Sequence, residues 1–396
     1  MLSISNIDIL DTLEKFKKKN LRVVFIVPTK TGLKKSIMDA TLDLRILLKD
    51  SSIHDYQNQE KGPDNKVILK TTYISKNEEY ETDTSFYRPL TKHGDPRIWI
   101  YGLKSKASAG DLLGAVILNN KLTIINCSNS NVDAFITSKV QSGNILNFQT
   151  SPVAIELLNK LKNIASKGFI KSMKSGDTGV GYTLETLLGI KSNSSQNPDY
   201  KGIELKSIRK RNNKGTFFSR VPNWKLSNIK SAEDIVKKRG KKDPTKGNLK
   251  TIHHTISALK KNSYNMKLVI KDDKIIQVFL KKCLMGLKTE EDVTWLIDDI
   301  AARINQKHKE TFWIDVETRV KNNVEYFKYN SVLHTSLPDP NSIPILIQSG
   351  SITVDYLIRE SKAWKEYSSK NGNDFLWKIK KKDRDLLFKF TKKYNL

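Results

Sequence analysis

Short apolar and β-branched runs, separated by polar breaks, dominate the first 150 positions. They fall at Arg22–Pro28, Lys66–Ile74, Arg97–Tyr101, Leu112–Leu118 and Leu122–Cys127, with turn signals such as His93-Gly94-Asp95-Pro96 and Asn119-Asn120 between them. Runs of this kind bounded by turn residues read as strands. Leu33, Ile37, Leu44 and Leu48 recur near helical spacing and predict one helix over Leu33–Leu48. Residues 1–150 are therefore expected to form a mostly-β domain, a barrel or sandwich with one or two helices.

The pattern changes at Ser151-Pro152, a capping residue followed by proline at the first helical position. A helix is expected from there to about Met173, then a turn rich in glycine (Gly176, Gly179, Gly181) and a second helix through Thr183–Leu188. A loop from Ser192 to Pro198 leads into a strand at Ile203. Further strands are expected at Lys267–Ile270, Ile275–Leu280, Phe312–Glu317 and Ile352–Tyr356, with a helix near Glu290–Asn305. This predicts a second domain, 151–396, of α/β class.

Charge adds a partner to this picture. The 396 residues carry 69 Lys and Arg against 42 Asp and Glu, a formal excess of +27. Between Lys201 and Lys250 there are 16 basic residues and 4 acidic ones. A local excess of that size favours a polyanion, because each neutralised phosphate releases condensed counterions. No apolar run approaches the roughly 20 residues of a membrane span. The amphipathic start, with Asp8, Asp11 and Glu14, reads as neither signal nor transit peptide. Cys127 and Cys283 are too few for a disulfide framework or a four-ligand zinc site. A cytoplasmic protein without a membrane partner is expected.

The candidate chemistry lies where the basic stretch begins, in "PDYKGIELKSIRKR", residues 198–211. In a strand Glu204 and Lys206 project to the same side, while Ile203 and Leu205 point to the opposite one. Asp199, arriving from the preceding turn, converges on Glu204. Two adjacent carboxylates repel one another, and a hard cation such as Mg²⁺ relieves the repulsion. Such an ion polarises a phosphoryl oxygen and lowers the pKa of a bound water. The Lys206 ammonium then orients the water and offsets developing phosphorane charge. The upstream helix adds one more acid, Glu185, within an apolar face formed by Leu184, Leu187 and Leu188.

"GDTGVGYTLETLLGI", residues 176–190, followed by "PDYKGIELKS", resembles the core of the MvaI/BcnI restriction endonucleases. These are similar to the mismatch-repair nickase MutH, within the PD-(D/E)xK nuclease fold. The resemblance covers roughly residues 150–396 and implies a restriction-endonuclease-like mixed sheet flanked by helices. It implies that Asp199 and Glu204 bind Mg²⁺, that the Leu205 carbonyl adjoins the metal, that Lys206 serves the water and scissile phosphate, and that Glu185 is an additional active-site acid. The implied partners are double-stranded DNA and a cognate DNA methyltransferase, and the implied state is a monomer or weak dimer. "TIHHTISALKKNSYNMKLVI" and "NNVEYFKYNSV" resemble segments around the family's DNA cleft, and "ITVDYLIRE" followed by "KNGNDFLWKIKKKDRDLLF" resembles its C-terminal recognition region. The family's Arg-x-His-Gly-Thr-like stretch is replaced by Lys370-Asn371-Gly372-Asn373-Asp374-Phe375, which puts the family's cytosine/guanine-rich target in doubt.

Arg209, Lys210, Arg211 and Lys214 follow the active strand and are expected to contact phosphates. His253 and His254 are candidates for base or phosphate contacts, with structural histidines as the alternative. Asn371, Asn373 and Asp374 have the hydrogen-bonding groups to read base edges, with a polar turn as the alternative. Asp315 and Glu317 form a second carboxylate pair, without a lysine two residues later. The expected activity is a sequence-specific, Mg²⁺-dependent type II restriction endonuclease. The alternatives are a MutH-like strand nickase and a DNA-binding or modification-sensing protein with little cleavage. The N-terminal domain, with Lys92, Arg97, Lys104 and Lys106 around "GDPRIWIYGL", is expected to be a second DNA-reading module, B3-like, or else a scaffold.

Overall fold

The computed structural model describes residues 8–19, 21–139, 150–190, 197–246, 248–283, 286–360 and 374–396. The chain divides into two compact units, Met1–Asn147 and Phe148–Leu396. Among the described residues no helix is long and apolar enough to cross a membrane.

The first unit comprises α1 (Ile9–Lys18), β1 (Val24–Ile26), α2 (Lys30–Lys35), β2 (Met38–Asp39), α3 (Leu42–Asp50), β3 (Val67–Ser75), β4 (Glu78–Tyr87), β5 (Arg97–Ile100), α4 (Leu103–Lys106), β6 (Leu113–Leu118), β7 (Lys121–Asn126) and α5 (Val132–Lys139). Its strands make one seven-stranded sheet in the order β1-β6-β7-β3-β4-β5-β2. Leu44, Leu47 and Leu48 of α3 pack with Tyr73, Phe86, Ile98 and Ile124 of the strands.

The single helix expected over Leu33–Leu48 is two. Ser36 turns into the left-handed region (φ 55°), and Met38 pairs with Ile98, which breaks the helix after one and a half turns. Ile37, counted as part of an apolar face, is 41% exposed. Strand β4 is polar, "EEYETDTSFY", and carries no apolar run to announce it. It forms through the turn Lys76-Asn77, both at positive φ, as a two-residue hairpin requires.

The second unit contains α6 (Pro152–Ala165), β8 (Ile170–Lys171), α7 (Gly179–Leu187), β9 (Glu204–Arg209), β10 (Lys214–Ser219), α8 (Ala232–Arg239), β11 (Lys241–Asp243), β12 (Leu249–Ile256), β13 (Met266–Lys271), β14 (Lys274–Cys283), β15 (Gly286–Leu296), α9 (Ile297–His308), β16 (Glu310–Lys321), β17 (Val324–Pro338), α10 (Ile343–Gln348), β18 (Ile352–Arg359), β19 (Asp374–Lys380) and β20 (Phe388–Asn395). Its central sheet runs β20-β17-β16-β9, with β8 against β17. A second sheet runs β10-β19-β18-β12-β11, and a third β13-β14-β15.

Ser151 caps α6, its hydroxyl accepting from the Ala154 amide at 3.1 Å. Leu157, Leu158 and Leu161 of that helix pack with Phe312, Ile314 and Phe327 of the central sheet. The helix ends at Ala165 rather than near Met173, because β8 leaves it to pair with β17. The helix expected over Glu290–Asn305 begins only at Ile297. The acidic stretch Glu290-Glu291-Asp292 continues β15 instead, where buried Asp292 takes two hydrogen bonds from Arg239, at 2.7 and 2.9 Å. Local charge patterning suggests a helix there, and long-range pairing overrides it.

Candidate active site

A tight reversal joins the two candidate metal ligands. Tyr200 and Ile203 exchange backbone hydrogen bonds of 2.9 and 2.8 Å, with Lys201 (φ 45°) and Gly202 (φ 92°) between them. Gly202 supplies a conformation a side chain rarely adopts. The reversal carries Asp199 back over the start of β9, where its Oδ2 accepts from the Leu205 amide at 2.9 Å. The turn is tied to α6 by Glu156, which accepts from Tyr200 Oη and Lys201 Nζ, both at 2.7 Å.

Ile203 and Leu205 are buried against α6 and α7. Alternation then sends Glu204 and Lys206 to the other face. Glu204 is fully buried and ion-paired with Lys206, and Lys307 Nζ of α9 lies 3.3 Å from its Oε1. Among the described residues these two ammonium groups are the only polar partners of the Glu204 carboxylate, and no backbone or neutral donor reaches it. Burial pushes the Glu204 carboxyl above the ordinary Glu range; Lys206 opposes this and Asp199 reinforces it.

Glu185 arrives on α7. The start of that helix approaches the preceding turn so closely that a Cβ on Gly179 would lie 2.2 Å from the Lys174 carbonyl oxygen. Val180 and Leu184 bury one side of the helix, which leaves Glu185 half-buried facing the pair. Burial raises its carboxyl, Asp199 raises it further, and Lys206 and Lys307 pull it back. Beside Lys307 stands His308, buried between Thr311 Oγ1 (3.0 Å) and the Phe217 carbonyl (2.9 Å) and stacked on Trp313. Burial and then Lys206 hold it well below the usual histidine range, so it is neutral and structural. Sequence reasoning missed Lys307, because nothing marks it out among 69 basic residues until α9 is folded against β9.

The family model described as MvaI/BcnI restriction endonuclease matches residues 158–388. The chain belongs to that family. It is therefore a restriction endonuclease, a site-specific nuclease and a hydrolase. Its fold is similar to that of "Restriction endonuclease MvaI-cognate DNA substrate complex", with 25% identity and a TM-score of 0.53 over 62% of this chain and 99% of that one. "Restriction endonuclease MvaI in the absence of DNA" is 23% identical over the same shares, with a TM-score of 0.39. No curated protein matches the chain.

Restriction endonucleases generally use a divalent metal ion, and the residues present fit one. Glu204 is a buried carboxylate whose polar partners among the described residues are two ammonium groups, beside a second carboxylate. Among the described residues no three or more acids, histidines or cysteines group closely enough to ligate one ion. Asp199 and Glu204 are the two carboxylates brought together at the start of β9, and a pair of this kind suits a cation that keeps several waters.

The expected DNA contacts of this family member divide. Arg209 is not displayed to a ligand: its side chain is buried, donating to the carbonyls of Asp177 (2.9 Å) and Gly176 (3.1 Å) and to Glu325 (2.8 Å). It fixes the glycine turn that precedes α7. Lys210 and Arg211 are exposed at the β9–β10 turn, whereas Lys214 is half-buried and donates to Thr353 Oγ1 at 3.2 Å.

His253 is exposed, and His254 is half-buried 3.0 Å from Ser263 Oγ. Strand register puts Lys214, Thr216, Lys378, Lys380, Thr353 and His253 on one polar face of the second sheet. Ile252, His254, Tyr356 and Trp377 share the opposite face, which carries the apolar core. Of this pair, His253 is the one on the polar face.

Asn371 and Asn373 lie outside the described residues, as does the side chain of Asp374, whose backbone opens β19. Asp315 and Glu317 do not act as a pair, since Lys381 holds the first at 2.6 Å and Arg319 the second at 3.5 Å.

Proposed function

We propose that the chain is a sequence-specific, Mg²⁺-dependent type II endonuclease that hydrolyses phosphodiester bonds of double-stranded DNA. The observation that carries this reading is the fully buried Glu204 carboxylate, set between Asp199 and two lysines at the edge of the central sheet. Asp199 and Glu204 would hold the ion, with the Leu205 carbonyl adjoining. Mg²⁺ would supply a polarised phosphoryl oxygen and an acidified water.

Lys206, ion-paired with Glu204, orients the attacking water and offsets charge as the water oxygen bonds to phosphorus and the leaving oxygen departs. Lys307 adds a second cation on the same carboxylate. Glu185, half-buried and raised, is positioned to exchange a proton with water. Duplex DNA as substrate is supported by the similar MvaI structure with cognate DNA and by the basic excess after β9. A nuclease of this kind needs its host's own sites modified, hence a cognate methyltransferase acting in the cytoplasm.

Mixed-sequence plasmid incubated with the protein and Mg²⁺ is expected to give discrete linear fragments, and none when the metal is chelated. Nicked circles alone would make it a strand nickase. A retarded band without cleavage would make it a binding protein.

Within the same reading, residues 1–150 form a second DNA-contacting module. Of the four basic residues around "GDPRIWIYGL", three are engaged internally. Arg97 pairs with Asp39, Lys104 donates to the Lys34 carbonyl at 3.2 Å, and Lys106 sits 3.3 Å over the Tyr80 ring. The side chain of Lys92 lies outside the described residues. Exposed Lys30, Lys34 and Lys35 on α2 are the better candidates. A chain beginning at residue 151 is expected to keep metal-dependent hydrolysis but to bind its target more weakly or cut with relaxed specificity. Unchanged fragments and affinity, beside a 1–150 fragment that ignores duplex DNA at low salt, would leave the N-terminal unit a scaffold.

A further inference from the structure

The polar face of the second sheet ends, at the β10–β19 corner, in a cavity of about 810 Å³. Lys214 and Lys380 line it from that face, Lys381 and Lys382 from the turn after β19, Lys393 from β20, and Arg384 from below them. Lys382 and Lys393 are exposed and Arg384 is 1% exposed, so positive charge continues from rim to base.

Among the described residues Arg384 makes no ion pair, and Asp315 and Asp385 act on it without direct contact. Its guanidinium lies 4.9 Å from the centre of the Trp313 ring, and Nε and Nη2 are buried without a hydrogen-bond partner among the described residues. The one acid lining the cavity, Asp315, is taken by Lys381 at 2.6 Å. Burial pushes Arg384 down to about 10, against Asp315 and Asp385, which raise it. Arg209, equally hidden, spends its guanidinium on two carbonyls and Glu325. A buried cation left unpaired is costly, and a guanidinium donates two parallel hydrogen bonds to an oxyanion that accepts them.

We infer that this cavity is an anion site that takes a non-scissile phosphate of the duplex backbone, an inference that rests on the function proposed above. Two observations favour a backbone phosphate over a free one. Asp315 stands opposite Ile208, four positions beyond Glu204 on the same sheet face, about 13 Å along the strand at 3.3 Å per residue. Each strand of a duplex passes a phosphate every ~3.4 Å of its axis, so DNA seated at Glu204 has phosphates within that span. The cavity is also continuous with the polar face bearing Lys378, Thr216 and Thr353. A phosphate bound there sets the register of the duplex without reading its sequence.

The test compares the full-length wild type with two variants, K382A/K393A at the rim and Arg384→Met at the base. Each is titrated with target and unrelated duplex over a range of salt, and melting is followed with and without inorganic phosphate. Both variants are expected to lose affinity equally for the two duplexes. The slope of log affinity on log salt should become shallower by about 0.9 for each phosphate no longer neutralised. An unchanged slope in the rim variant, which stands even where Arg384→Met fails to fold, overturns the assignment while wild type binds and cuts. Phosphate that stabilises wild type but not Arg384→Met, with duplex slopes unchanged, makes this a free-anion site and overturns the backbone assignment. A wild type that neither binds nor cuts duplex fails the parent reading in the same titration, and the inference falls with it.

Discussion

Lys206→Ala is expected to lower the single-turnover cleavage rate by about a thousandfold or more while duplex affinity at fixed salt changes little. Removing one group that stabilises transition-state charge typically costs about 10²–10³ in rate. Lys206 has a second task, because it is one of two cations on buried Glu204. With it gone, only Lys307 opposes the burial that raises the Glu204 carboxyl. The acid limb of the residual pH–rate profile should therefore move to higher pH. A Lys307→Ala variant should move it in the same direction by less, its nitrogen standing at 3.3 Å without the strand-neighbour contact Lys206 makes. Wild-type rates in Lys206→Ala would remove that residue from the chemistry.

Glu204→Gln is expected to abolish cleavage and, without metal, to melt no lower than wild type at pH 7–8. The folded-state Glu204 carboxyl lies above its unfolded value, through burial first. The stability contributed by its neutral form is therefore present below the ordinary Glu range and is lost as pH rises through the raised folded value. At neutral pH the charged group burdens the fold, and the neutral amide does not. The advantage of the variant should shrink as pH falls toward the ordinary Glu range. Added Mg²⁺ should reverse the order. At a hundredfold excess over its dissociation constant it contributes about 2.7 kcal/mol to wild type, roughly 5–10 °C for a unit of this size, and much less to Glu204→Gln. A variant that gains the same Mg²⁺ stabilisation as wild type would exclude Glu204 as a ligand.

Much of the candidate site is legible in the sequence because its parts are local. "PDYKGIELK" encodes a two-residue reversal at Lys201-Gly202, a strand whose alternation separates apolar from charged side chains, and an acid on each side of the turn. Glu185 is legible for the same reason, as the polar exception on a short apolar helix face. Local pattern misleads where long-range pairing competes with it. The acidic middle of β15 reads as helix, polar β4 gives no strand signal, and one helix is suggested where β2 intervenes.

By itself the sequence determined the α/β class of the second unit, the family, and a cluster of two carboxylates and a lysine, since local patterns along the chain suffice for those. Tertiary structure alone decided what each basic residue does. Nothing local in the sequence separates the roles of Arg209, Lys214 and Arg384 in a chain with 69 cations. Folding gives the first to Glu325 and two carbonyls, the second to Thr353, and leaves the third buried without a hydrogen-bonded anion among the described residues. The physical reason is that burial and the nearest opposite charge, not residue type, set what a cation is free to bind. Both depend on strands more than a hundred residues apart in the chain being laid side by side.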